Sequence, residues 1–217
     1  MEQASKPTNP PQSLRERKKL RTRQALVDTA LELFSQRGFA AVTLDEIVDA
    51  VEVSKRTFFR AFASKEDLAL APEKELWAAY QEVLVDAQLP ADDLLTAFEN
   101  ALFTAVETMA DGWEHRFLVS RALADRTPTL AAHSLRHCAE VSAAIVNTVG
   151  DRLGTPAADR ARLRLLLDLF VAAWHRALEN WSVPHATTQD REALATHMRA
   201  AFALIPGVAA MVRDHTC

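Results

Sequence analysis

From Leu14 to Ile205 the chain reads as a succession of amphipathic helical segments, each set off by an isolated proline or glycine. The separators are Gly38, Pro72, Leu89-Pro90, Gly112, Arg126-Thr127-Pro128, Gly154-Thr155-Pro156, Val183-Pro184 and Pro206-Gly207. No stretch keeps the two-residue apolar alternation, rich in β-branched side chains, that marks a half-buried strand. The expectation is an all-α chain of about nine helices. With only 5 glycines in 217 residues and no Gly-x-Gly, Gly-rich phosphate loops and dinucleotide-binding turns are excluded. No apolar run approaches the roughly 18 residues that span a bilayer, so no membrane role is expected. Two cysteines, Cys138 and Cys217, cannot build a disulfide framework, which fits a reducing cytoplasm.

Charge is divided unevenly. Residues 1–65 hold 12 Lys and Arg against 8 Asp and Glu, whereas 66–217 hold 13 against 21. Between Leu14 and Arg23, six cations (Arg15, Arg17, Lys18, Lys19, Arg21, Arg23) face the single acid Glu16. A basic N-terminal part on an acidic body has the electrostatics of a small polyanion reader attached to something larger. A solvated helix face would give the same count, so charge alone leaves both readings open.

Residues 1–13 carry three prolines and little to bury, and are expected to be a disordered tail. A helix follows to Arg37, with Leu26, Ala30, Leu33 and Phe34 on one face and Gly38 as a left-handed C-terminal cap. Thr43-Leu44-Asp45-Glu46 is a capping box opening a short helix with Ile47 and Val48 inward. Ser54 caps the next helix, Lys55 to Ala61, and Ser64-Lys65-Glu66-Asp67 opens a fourth. Short helices joined this closely outline a helix-turn-helix at about 44–63. Lys55, Arg56 and Arg60 put three cations near the start of the second of them, where the helix N-terminus adds its own positive end. Phe59 and Phe62 are expected to anchor it on Leu33, Phe34 and Ile47, with Val53 plugging the turn.

The stretch Arg21–Leu68, RTRQALVDTALELFSQRGFAAVTLDEIVDAVEVSKRTFFRAFASKEDL, resembles the N-terminal DNA-binding domain of the tetracycline-repressor (TetR) family. The matching marks are Ala30-x-x-x-Phe34, Gly38-Phe39, Thr43, Ile47, Val53-Ser54, Thr57, Phe62 and Ser64-Lys65-Glu66-x-Leu68. The resemblance implies a three-helix DNA-binding domain over 14–65 and a helical effector-binding and dimerisation domain over 66–217. It further implies that Thr43 and Lys65 bind phosphates and that Lys55, Arg56, Thr57 and Arg60 face the groove. Three positions depart from the family pattern: Glu52 stands where glycine is frequent, Phe59 where a phosphate-binding tyrosine is usual, and Ala61 where His or Tyr is often found. Phe59 stays among the DNA-facing candidates, and Arg15 and Lys19 of the basic run are expected to replace lost phosphate contacts.

In the body, an effector pocket would draw on Phe103, Trp113, Phe117, Phe170 and Trp174, with Arg121, His137 and His175 as polar groups. His133 and His137 have the spacing of a metal pair but no acid or cysteine on their face, so no metal or other cofactor is expected. Two stripes could form a two-fold interface: Leu165, Leu169, Ala172, Ala173 and Arg176 on one helix, and Leu194, Met198, Ala201, Phe202 and Ile205 on the last. The sequence offers no catalytic constellation. The expectation is a non-enzymatic, cytoplasmic transcriptional regulator: a homodimeric repressor released from palindromic double-stranded operator DNA by a largely apolar small molecule. An architectural DNA binder without effector, or a helical enzyme using the histidine-bearing body, are the alternatives.

Overall fold

The computed structural model describes residues 13–183 and 188–208. Residues 1–12 of the expected 1–13 tail, Pro184 and Cys217 lie outside the described residues, while its last residue, Ser13, is the N-cap of the first helix. All regular structure among them is helical, in ten helices. The first compact unit ends at Ala69 and the second begins at Leu70.

The first unit holds α1 (Leu14–Arg37), α2 (Leu44–Ala50), α3 (Lys55–Phe59) and α4 (Lys65–Ala69). It runs just past Lys65, where the sequence suggests a division, because Leu68 and Ala69 are fully buried and α4 packs on α1. The buried face of α1 is Leu26, Val27, Ala30, Leu31 and Phe34. Leu31 takes the place expected of Leu33, which is only half-buried. Gly38 has φ 83 and ψ 150, so the helix ends in an extended conformation with positive φ rather than in a left-handed turn. Only glycine adopts it without strain.

The second unit holds α5 (Ala71–Asp86), α6 (Leu94–Thr108), α7 (Trp113–Arg126), α8 (Pro128–Arg152), α9 (Ala157–Trp181) and α10 (Arg191–Phe202). Pro72, in the first turn of α5, needs no N–H donor there, and the chain breaks helix at Leu70. Separating the five-residue α4 from α5 gives ten helices where about nine were expected. Pro206 and Gly207, expected as separators, lie in a short helical turn at 205–208. The core is aromatic. Tyr80 stacks on Phe170, Phe170 on Phe202, and Phe117 lies against Trp113, Trp174 and Trp181. α9 is its spine, packed on α6, α8 and α10.

Candidate nucleic-acid interface

The helix-turn-helix is built from side-chain caps. Thr43 Oγ1 accepts the Glu46 N–H at 3.3 Å, while the Glu46 carboxylate accepts from the Thr43 N–H at 2.7 Å and from its hydroxyl at 2.9 Å. Arg37 reaches the other carboxylate oxygen at 2.7 Å. The Thr43 backbone donor, then Arg37 and the Thr43 hydroxyl, lower the Glu46 pKa from its ordinary 4.5 to about 2. The turn after α2 passes through Glu52 at φ 56, the one positive φ outside glycine among the described residues. The family's frequent glycine thus has a physical cause here: the turn demands left-handed backbone, and Glu52 adopts it with a Cβ. Ser54 caps α3 by accepting the Thr57 N–H at 3.2 Å, and their hydroxyls lie 3.0 Å apart.

The anchor of α3 is Phe58, not Phe59. Phe58 is fully buried with its ring 5.7 Å from that of Phe62, whereas Phe59 is 56% exposed. Adjacent residues on a helix point about 100° apart, so only one of two consecutive phenylalanines can face inward. Phe59 therefore shares the outer surface with Lys55, Arg56 and Arg60, while Thr57 is half-buried. Lys55 is engaged by Asp45 at 2.6 Å.

Two other cations belong to the scaffold. Lys65 Nζ donates to the carbonyls of Phe39 and Val42, both at 2.8 Å, and lies 4.2 Å from the Phe39 ring centroid. This ties α4 to the loop between α1 and α2. Arg23 donates to the Ala61 carbonyl at 2.8 Å and covers the Phe62 ring at 4.3 Å. It thereby fixes the end of α3 against α1.

The remaining basic run forms a site. Arg15, Lys18, Lys19 and Thr22 of α1 face Thr57 and Arg60 across a concavity of about 340 Å³. It brings the expected Arg15 and Lys19 together with two of the groove-facing residues. Lys18 and Thr22 are additions to the expected set, although a helical spacing of three and four links them to Arg15 and Lys19. The helix reaches this far because Ser13 and Glu16 form a second capping box: Ser13 Oγ accepts the Glu16 N–H at 3.2 Å, and the carboxylate accepts the Ser13 N–H at 2.8 Å. The Ser-x-x-Glu signature is legible in the sequence.

In the body, four expected pocket residues are core. Trp113, Phe117, Phe170 and Trp174 are at most 3% exposed and pack on one another or on neighbouring rings, and the Trp113 indole N–H donates to the Pro72 carbonyl at 2.9 Å. Phe103 is half-buried, against Phe202 and Arg199. His137 is half-buried on α8. Arg121 and His175 do approach each other: burial first, then the Arg121 charge, lowers the His175 pKa. Beside Trp77, Cys138 and Val171 the packing leaves a gap too small for a water molecule. No group of three or more His, Cys, Asp or Glu is placed to hold a metal among the described residues.

The two expected interface stripes part company. Leu194, Met198, Ala201 and Phe202 are buried in the chain's own core, so they are not an outer surface. Packing of α10 against α9 and α6 consumes that face. On α9, Ala173 is also buried, but Leu165 and Leu169 are 64% and 41% exposed and Ala172 is exposed. Leu135 of α8 is likewise open to solvent.

Residues 26–71 match the family model described as bacterial regulatory proteins, tetR family. The HTH-type transcriptional regulator TcmR of Streptomyces glaucescens is 34% identical over 202 residues, covering 91% of this chain and 88% of that protein. The HTH-type transcriptional repressor NemR of Escherichia coli K12 is 37% identical over 65 residues, covering 30% of this chain and 33% of that protein. Among solved structures, the TetR-family transcriptional regulator PfmR of Thermus thermophilus aligns over 82% of this chain and 97% of its own, at 18% identity and a TM-score of 0.39.

Proposed function

The chain belongs to the TetR family of bacterial regulatory proteins and is a DNA-binding transcriptional regulator, not an enzyme; on that premise we propose that it is a dimeric repressor that leaves its operator when a small molecule binds the helical body. One observation carries the DNA contact: the exposed tip of α3, with Arg56, Phe59 and Arg60, stands beside the basic concavity that α1 builds. Arg56, Thr57, Phe59 and Arg60 would meet base edges and adjacent backbone in the major groove. Arg15, Lys18 and Lys19 would grip phosphates flanking the same half-site. Thr43 gives both its N–H and its hydroxyl to Glu46 and keeps no donor for a phosphate, whereas Lys55, with one N–H on Asp45, would keep two and Lys65, with two on carbonyls, would keep one.

Dimerisation would use the exposed apolar stripe of α9, Leu165, Leu169 and Ala172, with Leu135 of α8. Two such helices from each chain make a four-helix interface. A two-fold dimer presents its two readers about one DNA turn, roughly 34–36 Å, or a multiple apart, so the operator is near-palindromic. Effector and DNA oppose each other through a coupling of about 1–3 kcal/mol, the ordinary range for linked sites. Such a regulator works where the chromosome is, in the cytoplasm. No helix among the described residues is long and apolar enough to cross a membrane.

The test is a gel-shift titration on DNA upstream of the protein's own coding region, with scrambled competitor and varied salt. An inverted repeat bound in preference to scrambled duplex supports the reading. Equal affinity for both, strongly weakened by salt, would instead make this an architectural DNA binder.

A further inference from the structure

Phe59 carries the only aromatic ring exposed to solvent among the described residues. A lone exposed apolar side chain is ordinary on a protein surface and needs no special cause. Position gives this one a cause. Phe59 lies three residues after Arg56 and one before Arg60, and shares the outer face of α3 with both. The fold does not use its ring as an anchor, because the buried Phe58 ties α3 to Phe62. Phe59 meets that core only edge-on, with its ring centroid 5.2 Å from that of Phe58 and the two planes at 88°. The helix beneath it is held at both ends. Ser54 caps the Thr57 N–H, the Phe62 N–H donates to the Phe58 carbonyl at 2.9 Å, and Arg23 donates to the Ala61 carbonyl at 2.8 Å. The ring is therefore presented in a set direction by a pinned element, not by a loose loop.

A phenyl ring has neither donor nor acceptor, so it makes no hydrogen bond to a phosphate or to a base edge. The major groove of B-form DNA is polar along almost all of its floor: N7 and O6 of guanine, the amino group of cytosine, N7 and the amino group of adenine, and O4 of thymine. One group there is apolar, the C5-methyl of thymine. A ring pressed on a polar edge takes it from water and returns no hydrogen bond, which costs binding. Pressed on the methyl group, it removes apolar area from water on both sides of the contact.

We propose that Phe59 is a specificity-determining residue and that it reads a thymine 5-methyl group in each half-site of the operator. The proposal rests on the placing of α3 in the major groove made above, and it names the base and the chemical group that this face selects. The ring discriminates through what it would leave unpaired. Cytosine at the same position puts its amino group beneath the phenyl ring, and adenine or guanine puts N7 there, each without a partner. Arg56 and Arg60 are the groups on this face that hydrogen-bond, so the ring and the two guanidinium groups read different features of adjacent base pairs.

The experiment uses the full chain and the inverted repeat it selects from a pool of random duplexes. Each thymine of a half-site is replaced in turn by deoxyuridine, which keeps every hydrogen-bonding edge and removes only the methyl group. Affinity is read by fluorescence anisotropy at fixed salt. One thymine position per half-site should be sensitive, by about fourfold when one half-site is changed and about fifteenfold when both are, the worth of one buried carbon each. Phe59→Ala should bind the selected duplex more weakly and bind its thymine and deoxyuridine forms alike. Phe59→Leu, still apolar, should keep part of the difference. Thermal unfolding checks that both variants fold. The slope of log affinity against log salt should stay the same in both, because no cation is lost; a displaced α3 would carry Arg56 and Arg60 away and lower it. The proposal is overturned if no thymine responds to loss of its methyl group, if the response survives Phe59→Ala, or if the salt slope falls with the affinity. The two readings fail separately. A selected repeat without a methyl-sensitive thymine removes the role of Phe59 and leaves α3 in the groove. If no duplex is selected over the random pool, the groove placement itself falls and this inference falls with it.

Discussion

Replacing Lys65 by methionine tests whether its charge serves the fold or the DNA. Methionine keeps the apolar stem over Phe39 and removes only the ammonium. That ammonium makes two 2.8 Å bonds, to the carbonyls of Phe39 and Val42, and rests on an aromatic ring. Hydrogen bonds to a charged group contribute about 1.5–3 kcal/mol each, and here the freed carbonyls regain some water, so a total loss of about 2–3 kcal/mol is expected. For a cooperative unit of 60–100 residues each kcal/mol moves the midpoint by roughly 4–8 °C, which puts the first unit about 10–20 °C lower.

The assay exploits the distribution of tryptophan. All four tryptophans lie at or beyond residue 77, in the second unit. Indole fluorescence therefore follows the body, and far-UV circular dichroism follows both units. Lys65→Met should lower an early dichroism transition and leave the fluorescence transition where it was. At a temperature where the variant is folded, the salt dependence of operator binding should match that of the parent. If instead unfolding is unchanged and the slope of log affinity against log salt falls by about one, Lys65 neutralises a phosphate and the structural assignment is refuted.

Glu52→Gly should stabilise the first unit by about 0.5–1 kcal/mol, because the left-handed penalty of a Cβ outweighs the extra flexibility of glycine in the unfolded chain. Glu52→Ala, which removes the charge but keeps the Cβ, should give no such gain in melting temperature; equal gains would assign the effect to charge. Glu46 is held below its ordinary pKa in the folded chain, so its contribution is complete above pH 4.5 and is lost as pH falls towards 2. Glu46→Gln should flatten that acid limb of the unfolding curve, and an unaltered limb would place the acid sensitivity elsewhere. Leu165→Glu combined with Leu169→Glu should convert the dimer to monomer in sedimentation and weaken operator binding without unfolding the chain. Leu194→Glu, in contrast, buries a charge and should prevent folding. A double variant still dimeric would move the interface away from α9.

Helix boundaries were legible because their causes are local. α9 begins after Pro156 and ends at Trp181, and α8 begins at Pro128, as the separators imply. A cap or a proline acts within four residues, and such information is complete in the sequence. The direction in which a short helix points is not. α3 has five residues, little more than one turn, so no repeat of the apolar pattern exists to choose between Phe58 and Phe59. The same limit explains α10. An amphipathic stripe says that a face is covered, not by what, and Leu194, Met198, Ala201 and Phe202 met α9 and α6 of their own chain. On α9 the sequence carried two apolar faces, one around Leu163, Leu167, Phe170 and Trp174 for the core and one at Leu165, Leu169 and Ala172 left outside.

Charges divide in the same way, and the division decides what the site can do. The sequence counts twelve cations before residue 66, but the count does not say which of them face inward. Arg23 and Lys65 hold backbone carbonyls, Lys55 meets Asp45 and Arg37 meets Glu46. Besides Lys55 and Arg37, those exposed at the surface are Arg15, Arg17, Lys18, Lys19, Arg21, Arg56 and Arg60, on α1 and α3. Only outward cations displace counterions from DNA, so the salt dependence of binding should scale with this smaller set rather than with net charge. Glu73 is the converse case. Nothing near it in sequence marks it for burial, because its partner Ser134 is 61 residues away on another helix. A long-range contact of that kind exists only once the core has formed, so no local pattern in the sequence can announce it.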